Sequence, residues 1–140
     1  MNYGIPLALL IMALAGCKKE STPATPLNEQ PDSTMVVILK NGNFINGPYG
    51  SVAGEAKIHR TGTKFQLALV NFASSNGPDL KVYLSKEVQP VNFVNLGSLR
   101  AINGNQLYDI PDGANYSSYK YALIHCQQYN HLFGSAELKD

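Results

Sequence analysis

The stretch Tyr119–Leu138, YKYALIHCQQYNHLFGSAEL, decides how the rest of the chain is read. Two short apolar runs, Tyr119 to Cys126 and His131 to Leu138, flank the polar group Gln127 to Asn130. That arrangement predicts a β-hairpin with a four-residue loop. Alternation along the first run puts Ala122, Ile124 and Cys126 on one face and turns His125 to the other. If Gln127 to Asn130 closes the hairpin, Cys126 and His131 form the cross-strand pair at its mouth.

Working back toward the N-terminus, the same vocabulary of short strands and tight turns recurs. Val52 to His59 and Lys64 to Phe72 flank Arg60-Thr61-Gly62-Thr63, a second hairpin signal. Leu80 to Ser85 alternates Leu80, Val82 and Leu84 against Lys81 and Tyr83. Met35 to Leu39, Val91 to Leu99 and Gln106 to Ile110 are further strands. The Asn-Gly groups at Asn41-Gly42-Asn43, Asn46-Gly47-Pro48 and Asn103-Gly104-Asn105 read as turns between them. Gly54-Glu55-Ala56-Lys57-Ile58 and Gly134-Ser135-Ala136-Glu137-Leu138 share a G-x-A-x-aliphatic pattern. They are expected to be neighbouring strands with Ala56 and Ala136 on one inner face. No period of 3.6 stands out after the first twenty residues. The fold class expected is all-β, a single antiparallel β-sandwich or barrel-like domain over residues 35–140.

Charge says little about partners. The formal net charge is +1, and the 11 Lys and Arg are scattered along the chain. No field gathers polyanions, so nucleic acid is not an expected partner.

The first residues carry an address. Ile5 to Leu14 is a short apolar run, too short to span a bilayer as a permanent helix. It ends in Leu14-Ala15-Gly16-Cys17, which resembles the lipobox of bacterial lipoproteins. The resemblance implies a signal peptide over residues 1–16 and a lipidated Cys17 that anchors the protein to a membrane. Lys18 follows Cys17, and by resemblance to sorting in Gram-negative bacteria this favours the outer membrane of the cell envelope. KKESTPATPLNEQPDST, Lys18 to Thr34, mixes charge with Ser, Thr and Pro and is expected to be a mobile tether.

Over most of Met35 to Asp140 the chain resembles the DM-thirteen domain, an extracellular module predicted to serve in electron transfer. The matching pieces are Gly42-Asn43-Phe44, Gly77-Pro78-Asp79-Leu80-Lys81-Val82-Tyr83-Leu84-Ser85 and Leu96-Gly97-Ser98-Leu99. They continue through Gly104-Asn105-Gln106-Leu107-Tyr108 with Pro111, Ile124-His125-Cys126 and Phe133-Gly134-Ser135-Ala136. An aromatic is usual in that family where His125 stands, and an apolar residue where His131 stands.

Cys126 is the leading candidate for chemistry. With Cys17 acylated it has no internal disulfide partner, so a thiol in an oxidising envelope remains. It can form a mixed disulfide with a redox partner, be oxidised stepwise, or ligate a metal or haem iron. The competing reading is a small buried hydrophobe, supported by its sharing a face with Ala122 and Ile124. His131 is the candidate modulator, since a nearby imidazolium favours the thiolate. His59, His125 and His131 are expected at the surface, and no CxxC or HExxH spacing predicts a metal site. No particular cofactor is specified. Asp79, at a Gly-Pro strand entrance, and the aromatics Tyr83, Tyr108 and Tyr129 are candidates for binding, against structural roles in a turn and a core. No paired carboxylate and no nucleophile elbow is present, so the sequence gives no support for a hydrolase. Two functions follow: electron transfer or thiol redox through Cys126, or a non-catalytic binding module that uses loops Asn71 to Asp79 and Asp112 to Ser118.

Overall fold

The computed structural model describes residues 21–32 and 35–140. The expected signal peptide and the expected lipidation site Cys17 lie outside the described residues.

Among the described residues nine strands form one curled sheet, a half-barrel. They are β1 (Leu27–Asn28), β2 (Val36–Asn46), β3 (Val52–Thr61), β4 (Lys64–Ser74), β5 (Leu80–Ser85), β6 (Phe93–Ser98), β7 (Asn103–Asp109), β8 (Tyr121–Cys126) and β9 (His131–Glu137). Their order across the sheet is β1-β7-β4-β3-β2-β9-β8-β5-β6. Every pairing is antiparallel except β1 with β7. The all-β, barrel-like expectation holds, with one parallel pair added at an edge.

The curl has two causes. Strand β2 changes partner along its length, pairing with β3 from Val36 to Asn43 and with β9 from Phe44 to Asn46. Register shifts between Ile38 and Lys40, Ala53 and Glu55, Leu69 and Phe72, Val82 and Tyr83, and Ile124 and His125 add local bends, as bulges do. The two halves of the sheet therefore fold toward each other over one apolar core. Ile58, Leu67 and Leu69 of one half meet Val82, Leu84, Ala122 and Ile124 of the other, all buried. A smaller cluster, Tyr83, Leu123 and Leu132 with Tyr121 against it, lies on the opposite face of β5, β8 and β9.

Three sequence-based expectations need correcting here. The G-x-A-x-aliphatic stretches are not neighbours, because β3 and β9 pair with β2 rather than with each other. Ala56 stands opposite Gly42, and Ala136 stands opposite Phe44. Both alanines do face the common core. Next, Asn41-Gly42-Asn43 and Asn103-Gly104-Asn105 are strand, not turn. Their glycines serve close approach: a methyl group added at Gly104 would overlap the carbonyl oxygen of Leu27 on β1.

The third correction concerns the segment expected to be a tether, part of which is docked. Leu27 and Asn28 pair with Gly104 and Asn105, and Asn76 brackets Thr22 with bonds of 3.0 and 2.8 Å. Glu29 forms a two-armed pair with Arg100 and accepts the Leu107 N–H at 2.9 Å. The Arg100 guanidinium holds the Glu29 carboxyl below its usual range against the opposing effect of burial. Glu29→Ala should cost roughly 1 kcal/mol at pH 7, since the pair is partly exposed. A depressed carboxylate contributes stability above its unfolded pKa and loses it as pH falls through the folded value. The difference between Glu29→Ala and the parent in urea midpoint should therefore shrink toward zero at pH 3. A difference that persists undiminished would contradict this role.

Candidate functional site

The final hairpin forms with the register its sequence suggests. Cys126 pairs with His131 on β9 and with Leu80 on β5, and residues 127–130 make the turn. Inward alternation carries Cys126 into the main core beside Ala122 and Ile124, leaving it 1% exposed. It is a free thiol.

The turn above Cys126 is held at three points. The Gln127 N–H donates to the Asp79 carbonyl oxygen at 3.0 Å, which ties the hairpin to the entrance of β5. Asn130 adopts a left-handed conformation with φ of 52°, a geometry that Asn tolerates in turns. Its side-chain oxygen lies 2.8 Å from His125 Nε2. His131 is half-buried and stacked flat on Tyr49, with ring centroids 3.6 Å apart and planes within 2°. Tyr129 of the turn lies tilted against it at 6.0 Å.

On the other face of β8, His125 is 2% exposed and packs against Tyr83 with centroids 5.5 Å apart. Tyr83 is also stacked on Phe93, at 4.4 Å, so its ring is covered from both sides. Burial pushes the Tyr83 hydroxyl up, and negative charge on Asp79 and Cys126 would push it further. Burial lowers the His125 pKa; the bond to Asn130 opposes that and the His131 charge reinforces it. The expectation of surface histidines fails for His125 and for His59, which is 1% exposed. His59 Nε2 lies 3.1 Å from Gln66 Oε1, and Gln66 in turn donates to Asp109 at 2.7 Å. Both rings are amphipathic, and a cross-strand or turn amide meets one nitrogen of each.

The other sequence candidates separate. Asp79 sits beside Cys126 through its backbone, while its carboxylate pairs with Lys81 at 3.2 Å. Tyr108 belongs to β7 in the other half of the sheet. Its hydroxyl donates to Gln106 Oε1 at 2.7 Å and accepts the Arg100 N–H at 3.0 Å, under the Arg100 guanidinium. The hairpin end thus gathers Cys126, His131, Asp79 and Tyr83, and excludes Tyr108. Sequence reading passed over Asn130 and Tyr49 and placed His125 at the surface. The one signal that could have found its burial is that His125 shares a strand face with Leu123. Among the described residues no three His, Cys, Asp or Glu side chains converge as a metal site.

What the fold and the hairpin define is a small all-β domain with one buried thiol beneath a turn, backed by a stacked aromatic and histidine face. A family model described as "Electron transfer DM13" matches residues 43–138. The chain belongs to that family. No curated protein and no solved structure matches it.

Proposed function

We propose that this is a lipid-anchored electron-transfer protein of the bacterial cell envelope in which Cys126 is the redox-active side chain. Family membership supplies the electron-transfer class. The observation that carries the assignment to Cys126 is its position: within the matched region it is the one cysteine, and it ends a strand directly under a short turn. The anchor at Cys17 and the outer-membrane address rest on the Leu14-Ala15-Gly16-Cys17 pattern and on Lys18.

The chemistry is thiol–disulfide exchange with a partner protein's disulfide. Cys126 loses its proton to solvent, and the thiolate attacks one sulfur of that disulfide. A new S–S bond forms to Cys126, the old one breaks, and the partner's second sulfur leaves as a thiolate. A second thiol then resolves the mixed disulfide and returns Cys126 to its reduced form. Attack needs a local opening that brings the sulfur to solvent, because the closed fold leaves Cys126 1% exposed.

The full-length protein incubated with oxidised glutathione should gain one glutathione, located on Cys126 by peptide mass, at a rate well above that of global unfolding. Adducts that appear only in denaturant would remove the exchange reading. A second reading, a binding module without chemistry, is favoured by the near-complete burial of Cys126. A cleft of about 440 Å³ lined by Asn41, Asn43, Tyr121, Glu137 and Lys139, among others, offers it a surface.

A further inference from the structure

The docked stretch around Thr22 bears on how the domain sits above its anchor. Asn76 brackets the Thr22 backbone, and the Pro23 carbonyl accepts the Ile102 N–H at 3.0 Å. Both attachments lie at one end of the sheet, where the connections 47–51, 75–79, 99–102 and 127–130 all turn. Backbone bonds tie these connections together. The Ser75 N–H donates to the Ser51 carbonyl at 2.8 Å, the Ser74 N–H to Ile102 at 2.8 Å, and the Gln127 N–H to Asp79 at 3.0 Å.

Cys17 stands five positions before Thr22, and such a stretch spans at most about 18 Å when fully extended. A lipid on Cys17 would therefore keep this end of the domain within that distance of the membrane surface. The opposite end, with connections 86–92 and 110–120, lies a strand further on, since the six residues of β5 rise about 20 Å.

The chemistry of the two ends differs in the same sense. Among residues 21–26 and the four near connections, the charged side chains are Asp79 and Arg100, paired to Lys81 and Glu29. Tyr49 and Tyr129 are 56% and 44% exposed at this end, and both pack on His131. A tyrosine, with an apolar ring and a polar tip, is favoured at the headgroup level of a bilayer. The far connections instead carry Lys86, Glu87, Asp112 and Lys120, all exposed. Val91 is more exposed than either tyrosine, but it belongs to that charged far end.

We propose that the end bearing connections 47–51, 75–79 and 127–130 docks on the lipid surface that holds Cys17, with Tyr49 and Tyr129 among the headgroups. This rests on the anchor reading of Cys17 and adds the face that the domain turns to the membrane.

The chain has no Trp, so a single Tyr129→Trp or Val91→Trp substitution gives a sole Trp emitter at either end. Each full-length variant is extracted from membranes, its Cys17 acylation is checked by mass, and it is inserted into vesicles of phosphatidylethanolamine and phosphatidylglycerol. A second set of vesicles carries acyl chains brominated close to the glycerol. Tyr129→Trp should shift to shorter wavelength on the vesicles and lose a large part of its emission to bromine, while Val91→Trp does neither. Should Tyr129→Trp fail to fold, Tyr49→Trp reports from the same end and should behave in the same way. With Cys17 acylated, an unquenched Trp at the near end, or equal quenching at both ends, overturns the docking and leaves the anchor standing. A blue shift without quenching that grows with surface density assigns the face to a second copy, and overturns the docking too. A mature chain without acyl groups on Cys17 removes the anchor and the docking together.

Discussion

Replacing Gly42 by Ala should destabilise the domain by about 3 kcal/mol or more, the upper end for added volume in a packed region. A methyl group there would overlap the Glu137 carbonyl oxygen and lie 2.8 Å from its carbon. That neighbour is backbone and cannot swing aside like a side-chain tip. Immediately beside it, Asn41 and Lys139 exchange two backbone bonds of 2.9 Å, which lock the C-terminal residues across β2. Relief of the clash would therefore pull β9 away from β2 at the point where the two halves of the sheet are joined. Gly62→Ala is the control, at a left-handed position with φ of 62° and open space around it. It should cost about 1 kcal/mol, the strain of a Cβ in that conformation alone. Urea unfolding of the two variants checks the contrast, and a Gly42→Ala midpoint equal to that of Gly62→Ala would contradict the crossing described here.

The second large effect is expected at Gln106, which is 0% exposed. Its Oε1 accepts the Tyr108 hydroxyl at 2.7 Å and the Ala101 N–H at 3.2 Å, and its Nε2 donates to the Ala101 carbonyl at 2.8 Å. Gln106→Leu keeps the volume and strands all three partners in a dry interior. Each unsatisfied buried group costs roughly 1–3 kcal/mol, and partial relaxation makes the total about 2–4 kcal/mol rather than the full sum. Tyr108→Phe removes one donor from an oxygen that keeps Ala101, and leaves the Arg100 N–H without its hydroxyl acceptor. Its cost should be about 1–2 kcal/mol. Equal midpoints for the two variants would mean that Gln106 does not organise this network. Burial also raises the Tyr108 hydroxyl pKa, so no ionisation near neutrality complicates the comparison.

The sequence was most legible where local pattern and tertiary position agree. Leu80 to Ser85 and the Cys126–His131 register could be read directly, because alternation fixes a face and a short loop fixes the pairing. Asn41-Gly42-Asn43 misled for a physical reason. Asn-Gly pairs are chosen for turns on local grounds, but here Gly is required by a chain segment almost a hundred residues away in sequence, at Glu137. The same holds for Gly104 against Leu27. Composition made residues 21–32 look like a free tether, yet a single short strand and the Glu29–Arg100 pair suffice to dock part of them. The burial of His125 was invisible for a related reason. His125 reads as a polar residue on a strand, and nothing local says that Tyr83 and Asn130 will pack against it.

That Cys126 exchanges electrons with a partner disulfide is tested most directly in the envelope itself. Cells carrying the full-length protein are quenched in acid, free thiols are alkylated, and the chain is recovered from the membrane fraction without reductant. The prediction is a mixed disulfide through Cys126, resolved by reductant and absent from Cys126→Ala. Recovery of Cys126 wholly as alkylated thiol, with no linked species under any growth condition, would contradict it.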